Sequence, residues 1–135
     1  MLKTEIIEKQ TKNILIIDDD RLVAKSLAKL LEKEGYNVSC VESGSQACDL
    51  IDHTGFDLII SDIRMPVVNG IETAINIKEI LGKKNKAEIP VIFMTGYSDE
   101  GNYKDAAKLY PADFIYKPFD KEKFLHSIKN ILRGQ

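Results

Sequence analysis

Strand-like and helix-like segments alternate along this chain, and the apolar runs mark the strands. Asn13-Ile-Leu-Ile-Ile17 is closed by Asp18-Asp19-Asp20 and reads as a strand buried on both faces. Leu22 to Glu34 carries Val23, Leu27, Leu30 and Leu31 at helical spacing, and Gly35 stops it. Tyr36 to Val41 alternates as a strand. Ser43, with Gln46 three residues on, signals a capped helix running to about His53. Phe56 to Ile60 is a second buried strand, ending at Ser61-Asp62. Met65-Pro66 and Asn69-Gly70 are loop signals, followed by a helix from Ile71 to about Leu81. Gly82 to Lys86 reads as an exposed basic connection. Ile89 to Met94 is the third apolar strand and ends at Thr95-Gly96. Asp99 to Leu109 predicts a helix with Tyr103, Ala106 and Ala107 inward. Ala112 to Tyr116 is the last strand, ending at Lys117-Pro118, and Phe119 to Leu132 closes as a helix with Phe124, Leu125, Ile128 and Leu132 inward.

A strand and a helix repeated five times predict an α/β fold, a doubly wound parallel sheet with helices on both faces. Right-handed crossovers restrict the strand order to a few arrangements. The chain's 135 residues suffice for one domain with a real core. The polar stretch 1–12 reads as a leader, which leaves 13–133 as the domain. Lys and Arg number 19 against 21 Asp and Glu. That balance argues against a dedicated nucleic-acid binder. Cys40 and Cys48 make no disulfide framework, and no apolar run has the length of a membrane span or a signal peptide. The expected location is the cytoplasm, with no membrane contact.

The informative feature is where the polar residues fall. The first strand ends in Asp18 and Asp19, the third in Asp62, the fourth in Thr95 and the fifth in Lys117. In a parallel sheet these ends share one edge, where open α/β sheets bind ligands. Clustered carboxylates repel and cannot all stay ionised without a cation. Their oxygens suit Mg2+. Mg2+ with a lysine and a hydroxyl can hold a phosphoryl group during transfer, and an aspartate can itself be the nucleophile. Each residue also has a plain reading: Asp18 to Asp20 as a helix N-cap cluster, Thr95 as a turn residue, Lys117 as a solvated lysine. Their coincidence at strand ends favours the joint site.

Four segments carry a resemblance: Ile14 to Asp20, Asp57 to Pro66, Pro90 to Gly96 and Ala112 to Phe119. In order and spacing they resemble the receiver domain of two-component response regulators, over about residues 13–133. The resemblance implies a flavodoxin-like, three-layer α/β/α fold with strand order 2-1-3-4-5. It implies Asp62 as phosphoacceptor from the phosphohistidine of a sensor histidine kinase or phosphotransfer protein. Asp18, Asp19, Asp62 and the backbone carbonyl of Arg64 would hold Mg2+. Lys117 would pair with carboxylate or phosphoryl oxygens, and Thr95 would bond the phosphoryl group. Phe114 would be the aromatic switch and Lys117–Pro118 a cis bond. The fourth helix, fifth strand and fifth helix would form the face for a downstream protein or a dimer partner.

The chain departs from the family at Phe114, often Tyr, and at Pro111, often Gly. Pro111 cannot take a left-handed cap conformation, which puts the end of the fourth helix in question. Arg64 and Tyr97 stand at two positions expected to tune phosphate lifetime. Lys83, Lys84 and Lys86 read as a solvated loop, Asp57 as a capping residue, and both cysteines as half-buried. The competing reading is a Mg2+-dependent phosphohydrolase of the haloacid-dehalogenase type, with Asp18 and Asp20 as its first motif. It lacks the later acidic pair and a cap insertion. The reading that the residues favour is a switch rather than a turnover enzyme.

Overall fold

Each buried strand presents two apolar faces, and the fold uses both. In the computed structural model, which describes residues 11–65, 68–96 and 100–133, five strands alternate with five helices. They are β1 (Asn13–Ile17), α1 (Arg21–Lys33), β2 (Asn37–Val41), α2 (Gly44–His53) and β3 (Leu58–Asp62). Then come α3 (Gly70–Lys83), β4 (Val91–Thr95), α4 (Glu100–Ala107), β5 (Asp113–Tyr116) and α5 (Lys121–Arg133). All pairings are parallel, and the order is β2-β1-β3-β4-β5. Both the fold class and the strand order are as expected.

Side chains alternate across a strand, so each apolar run divides by parity. Ile14, Ile16, Leu58, Ile60, Ile92 and Met94 face Leu27 and Leu31 of α1 and Phe124 and Ile128 of α5. Leu15, Ile17 and Ile59 face Ala47 and Ile51 of α2 and Ile77 and Leu81 of α3. Phe93 packs with Ile71 and Ala74 of α3 and Ala106 of α4. Each fully buried Leu, Ile or Phe contributes roughly 1.5–3 kcal/mol of apolar transfer.

Local signals set the helix ends. Asp20 caps α1 by accepting from the Leu22 and Val23 amides. Gly35, at φ 94°, follows its C-terminus. Ser43 caps α2 through the Gln46 amide, and the Gln46 side chain accepts from the Glu42 amide, one residue before the cap. Asn69 caps α3 through Glu72, and Asp120 caps α5 through Glu122 and Lys123. Asp57 accepts from the Asn13 amide at 2.7 Å, a capping role at the far edge of the sheet. Lys84 pairs with Asp52.

The sequence pattern misplaced some boundaries and faces. β3 and β4 start and end later than their apolar runs, because the ladder continues through Asp62, opposite Met94, and Thr95, opposite Tyr116. In α1 the buried set includes Ala24, while Val23 and Leu30 are only half-buried. Tyr103 is 37% exposed rather than inward; only Ala106 of the expected α4 face is fully buried. Cys40 is exposed and Cys48 half-buried. α4 stops at Ala107, and Tyr110 takes the left-handed conformation at φ 53°. With Pro111 barred from it, the turn falls on the preceding residue. The Lys117–Pro118 bond is cis, as expected. Residues 1–10 of the expected leader, and Pro66 and Tyr97, lie outside the described residues.

Candidate functional site

The parallel ladder brings the carboxyl ends of β1, β3, β4 and β5 to one edge. Asp18 follows β1 directly and is fully buried. Its amide donates to the Val41 carbonyl at 3.1 Å, and its Oδ1 accepts from the Asp20 amide at 2.9 Å. Asp19 is exposed at the rim. The three consecutive aspartates therefore divide their work: Asp20 caps α1, while Asp18 and Asp19 remain at the pocket.

Asp62 is the last residue of β3 and is 8% exposed. Its Oδ2 accepts from Lys117 Nζ at 3.0 Å, and its Oδ1 from the Arg64 amide at 3.3 Å. Lys117 Nζ also lies 3.7 Å from Asp18 Oδ2, too far for a hydrogen bond but close enough for charge attraction. One carboxylate oxygen from each of Asp18, Asp19 and Asp62 lies within 4.8 Å of the others.

Burial pushes the Asp18 carboxyl above its ordinary range. The Asp20 amide and Lys117 oppose that shift; the Asp62 and Asp19 charges add to it. Burial alone would lower Lys117. The hydrogen bond to Asp62 and the Asp62, Asp18 and Asp20 charges outweigh it, so Lys117 is held above its ordinary value. The lysine is thus a fixed cation. One lysine does not balance three carboxylates, and Asp18 Oδ2 is buried with no hydrogen-bond partner. A buried, unbonded carboxylate oxygen is costly. A hard divalent cation ligated by these oxygens would remove that cost, so the donor set fits Mg2+.

Thr95 ends β4 beside Met94, the register partner of Asp62. It is 1% exposed, and its hydroxyl donates to the Gly96 carbonyl at 3.2 Å. Arg64 is exposed two residues beyond Asp62. Phe114 lies on β5, opposite Phe93, away from the carboxylates. Its ring centroid is 6.1 Å from that of Phe93 and 4.4 Å from that of Tyr103, and Tyr103 stacks on Tyr116 at 6.3 Å. A row of rings therefore runs from the buried Phe93 to the exposed Tyr103 and Tyr116. The resemblance implied Phe114 as an aromatic switch, but its neighbour Tyr103 was not expected; an aromatic on a weakly amphipathic helix was the only signal.

Gly70 was also missed. It read as a turn glycine but is the first residue of α3, buried against the end of β3. Its amide donates to the Ile63 carbonyl at 2.8 Å. A Cβ there would lie 2.2 Å from the Asp62 carbonyl oxygen.

Comparisons with known proteins agree with this architecture. A family model described as the response regulator receiver domain matches residues 14–129. The probable transcriptional regulator ycf29 of Porphyra purpurea is 35% identical over 123 residues, which are 89% of this chain and 56% of that protein. The transcriptional regulatory protein CpxR of Escherichia coli is 36% identical over 120 residues, 89% of this chain and 49% of that protein. The chain thus spans about half the length of the curated relatives it matches. The signal receiver domain of a signal transduction histidine kinase from Syntrophus aciditrophicus superposes with a TM-score of 0.81 at 31% identity, covering 92% of each chain. Two of these relatives are transcriptional regulators by name, and the charge-based expectation of no nucleic-acid contact finds no support here.

Proposed function

Because the chain belongs to the response-regulator receiver family, we propose that residues 13–133 form a switch set by phosphorylation of Asp62. Receiver domains generally bind Mg2+ at an acidic pocket, and act with histidine kinases. In this reading an Asp62 carboxylate oxygen attacks the phosphorus of a phosphohistidine on a kinase or phosphotransfer protein. The O–P bond forms, the P–N bond breaks, and the electron pair leaves on the imidazole nitrogen, which takes up a proton. The observation that carries the reading is Lys117 at 3.0 Å from Asp62, beside the buried and unbonded Asp18 oxygen.

Asp18, Asp19 and Asp62, with the Arg64 main-chain carbonyl, would hold Mg2+. Bound there, the ion supplies positive charge against the gathering negative charge of transfer. Lys117 orients Asp62 and neutralises a phosphoryl oxygen. The chain's own pocket thereby promotes both gain and loss of the phosphoryl group, with no separate turnover substrate. The Thr95 hydroxyl, bonded to Gly96 beforehand, turns to a phosphoryl oxygen. The space that it leaves lets the Phe114 ring shift, which alters Tyr103 and Tyr116 on the α4–β5–α5 face. That face would meet a downstream protein or a second copy. The proposed exchange with a histidine kinase would place the protein in the cytoplasm. Among the described residues no helix is long and apolar enough to cross a membrane.

The phosphohydrolase alternative needs Asp20 as a free acid-base group, but its carboxylate is committed to capping α1. Intact-mass spectrometry after incubation with acetyl phosphate and Mg2+ tests the proposal. One labile phosphoryl adduct on wild type, absent from Asp62→Asn and weakened in Asp18→Asn, is expected. No adduct on wild type, or one that survives in Asp62→Asn, overturns it.

A further inference from the structure

The close contact between α3 and β3 has no counterpart at the other glycine of α3. Gly82 has nothing within 4 Å of where its Cβ would stand. At Gly70 that atom would meet the Asp62 carbonyl oxygen at 2.2 Å, and Ile63 Cα and Ser61 Oγ at 3.0 Å each. Real Cβ atoms essentially never approach below about 3.0 Å, so something must move. The crowding atom is backbone, which cannot swing aside as a side chain does.

The Asp62 peptide has little room to yield. Ile63 donates its amide to the Met94 carbonyl at 3.1 Å, Ser61 Oγ donates to the Asp62 carbonyl at 3.0 Å, and Gly70 donates its amide to the Ile63 carbonyl at 2.8 Å. The first turn of α3 is fixed on another side too. Thr73 is 1% exposed, and its Oγ1 lies 2.1 Å from where a Gly44 Cβ would stand. A side chain at position 70 therefore sets the start of α3 against the residue whose carboxylate meets Lys117.

We propose that Gly70 is a positioning residue for phosphoryl acceptance: its missing side chain lets α3 close on the Asp62 main chain and so sets where the Asp62 carboxylate stands. The inference rests on the reading of Asp62 as acceptor. It acts through geometry, since glycine brings no group to the chemistry. Displacement of a reacting group by about 1 Å can lower a rate roughly a hundredfold.

The test compares Gly70→Ala, Gly44→Ala and Gly82→Ala in the full chain. Melting temperature, rate of acetyl phosphate labelling per folded molecule, and apparent Mg2+ affinity from thermal shift are measured, the rates well below every melting point. Gly44→Ala is the structural control, because it crowds the same turn of α3 away from Asp62. The expected result is a rate lowered at least about tenfold in Gly70→Ala. Gly44→Ala should melt lower yet label at nearly the wild-type rate, and Gly82→Ala should match wild type. Wild-type labelling by folded Gly70→Ala, or an equal loss in Gly44→Ala, overturns the inference and leaves Asp62 as acceptor. Failure of Gly70→Ala to fold where Gly44→Ala folds also overturns it, by making the glycine purely structural. A wild type that does not label, or a label that survives in Asp62→Asn, removes the underlying reading as well.

Discussion

The Lys117 ammonium lies 3.0 Å from the Asp62 carboxylate while still within 3.7 Å of Asp18. One cation thus ties the end of β5 to the ends of β3 and β1. Lys117→Met removes it and leaves two close carboxylates to repel. The variant should be about 1–3 kcal/mol less stable in EDTA, short of a fully buried pair because the lysine side chain is 32% exposed. Added Mg2+ should narrow the gap, and labelling by acetyl phosphate should fall. Thermal melts with and without Mg2+ check this; equal melts in EDTA would contradict it.

Asp18 predicts the opposite sign. Burial holds its carboxyl above the ordinary range, so without a cation the ionised form opposes folding. Asp18→Asn should therefore melt higher than wild type at neutral pH in EDTA and lose its response to Mg2+. For a raised acid, the folded state binds the proton more tightly. The stabilisation is present below the unfolded-state value near 4 and is lost as pH rises through the higher folded value. The lead of Asp18→Asn over wild type should shrink as pH falls from 7 towards 4. A lead that grows on acidification would refute this account.

How much of this was legible in advance differs between the sheet and the loops. Ile14 to Ile17 and Ile59 to Ile60 declare buried strands by continuous apolarity, and the fold follows from their alternation with helices. Asp62 and Thr95 marked the ends of apolar runs, yet the ladder includes them, because backbone bonding is indifferent to side-chain polarity. Asp18, Asp62 and Lys117 were legible as neighbours because parallel topology dictates it. Gly70 was not, since the atom that it avoids is fixed by tertiary approach. Nor was the outward Tyr103, because α4 has a short and weakly patterned face.

Tyr110 stores local strain. It is 91% exposed and adopts φ 53°, a conformation that costs a non-glycine residue roughly 1 kcal/mol. Tyr110→Gly should raise stability by about 0.5–1 kcal/mol, or a few degrees in melting temperature. A lower melting point would mean that the tyrosine ring makes a contact worth more than the strain.

The ring row would make the proposed movement of Phe114 visible. The chain has no tryptophan, so its intrinsic emission comes from tyrosine. Acetyl phosphate with Mg2+ should change that emission, and Tyr103→Phe should diminish the change, leaving the Tyr116 contribution, while labelling continues. Tyr103→Ala, which strips the ring 4.4 Å from Phe114, should cost about 1 kcal/mol in stability. An emission change undiminished in Tyr103→Phe would place the movement elsewhere.

Arg64 donates its amide to Asp62 and is exposed beside it. A bulky side chain there would obstruct a water attacking a phosphoryl group on Asp62. Arg64→Ala should shorten the life of the phosphorylated form several-fold, followed by the decay of the intact-mass adduct. An unchanged decay would exclude the obstruction.

The parity of β4 has one more consequence. Ile92 and Met94 look towards α1 and α5, while Phe93 looks towards α3, α4 and Phe114. Neighbouring residues on one strand thus pack into separate layers: α1 and α5 on one side of the sheet, α3, α4 and the proposed relay through Phe114 on the other. Substitutions at Phe93 would therefore bear directly on the ring row, whereas those at Ile92 and Met94 bear on the packing of α1 and α5.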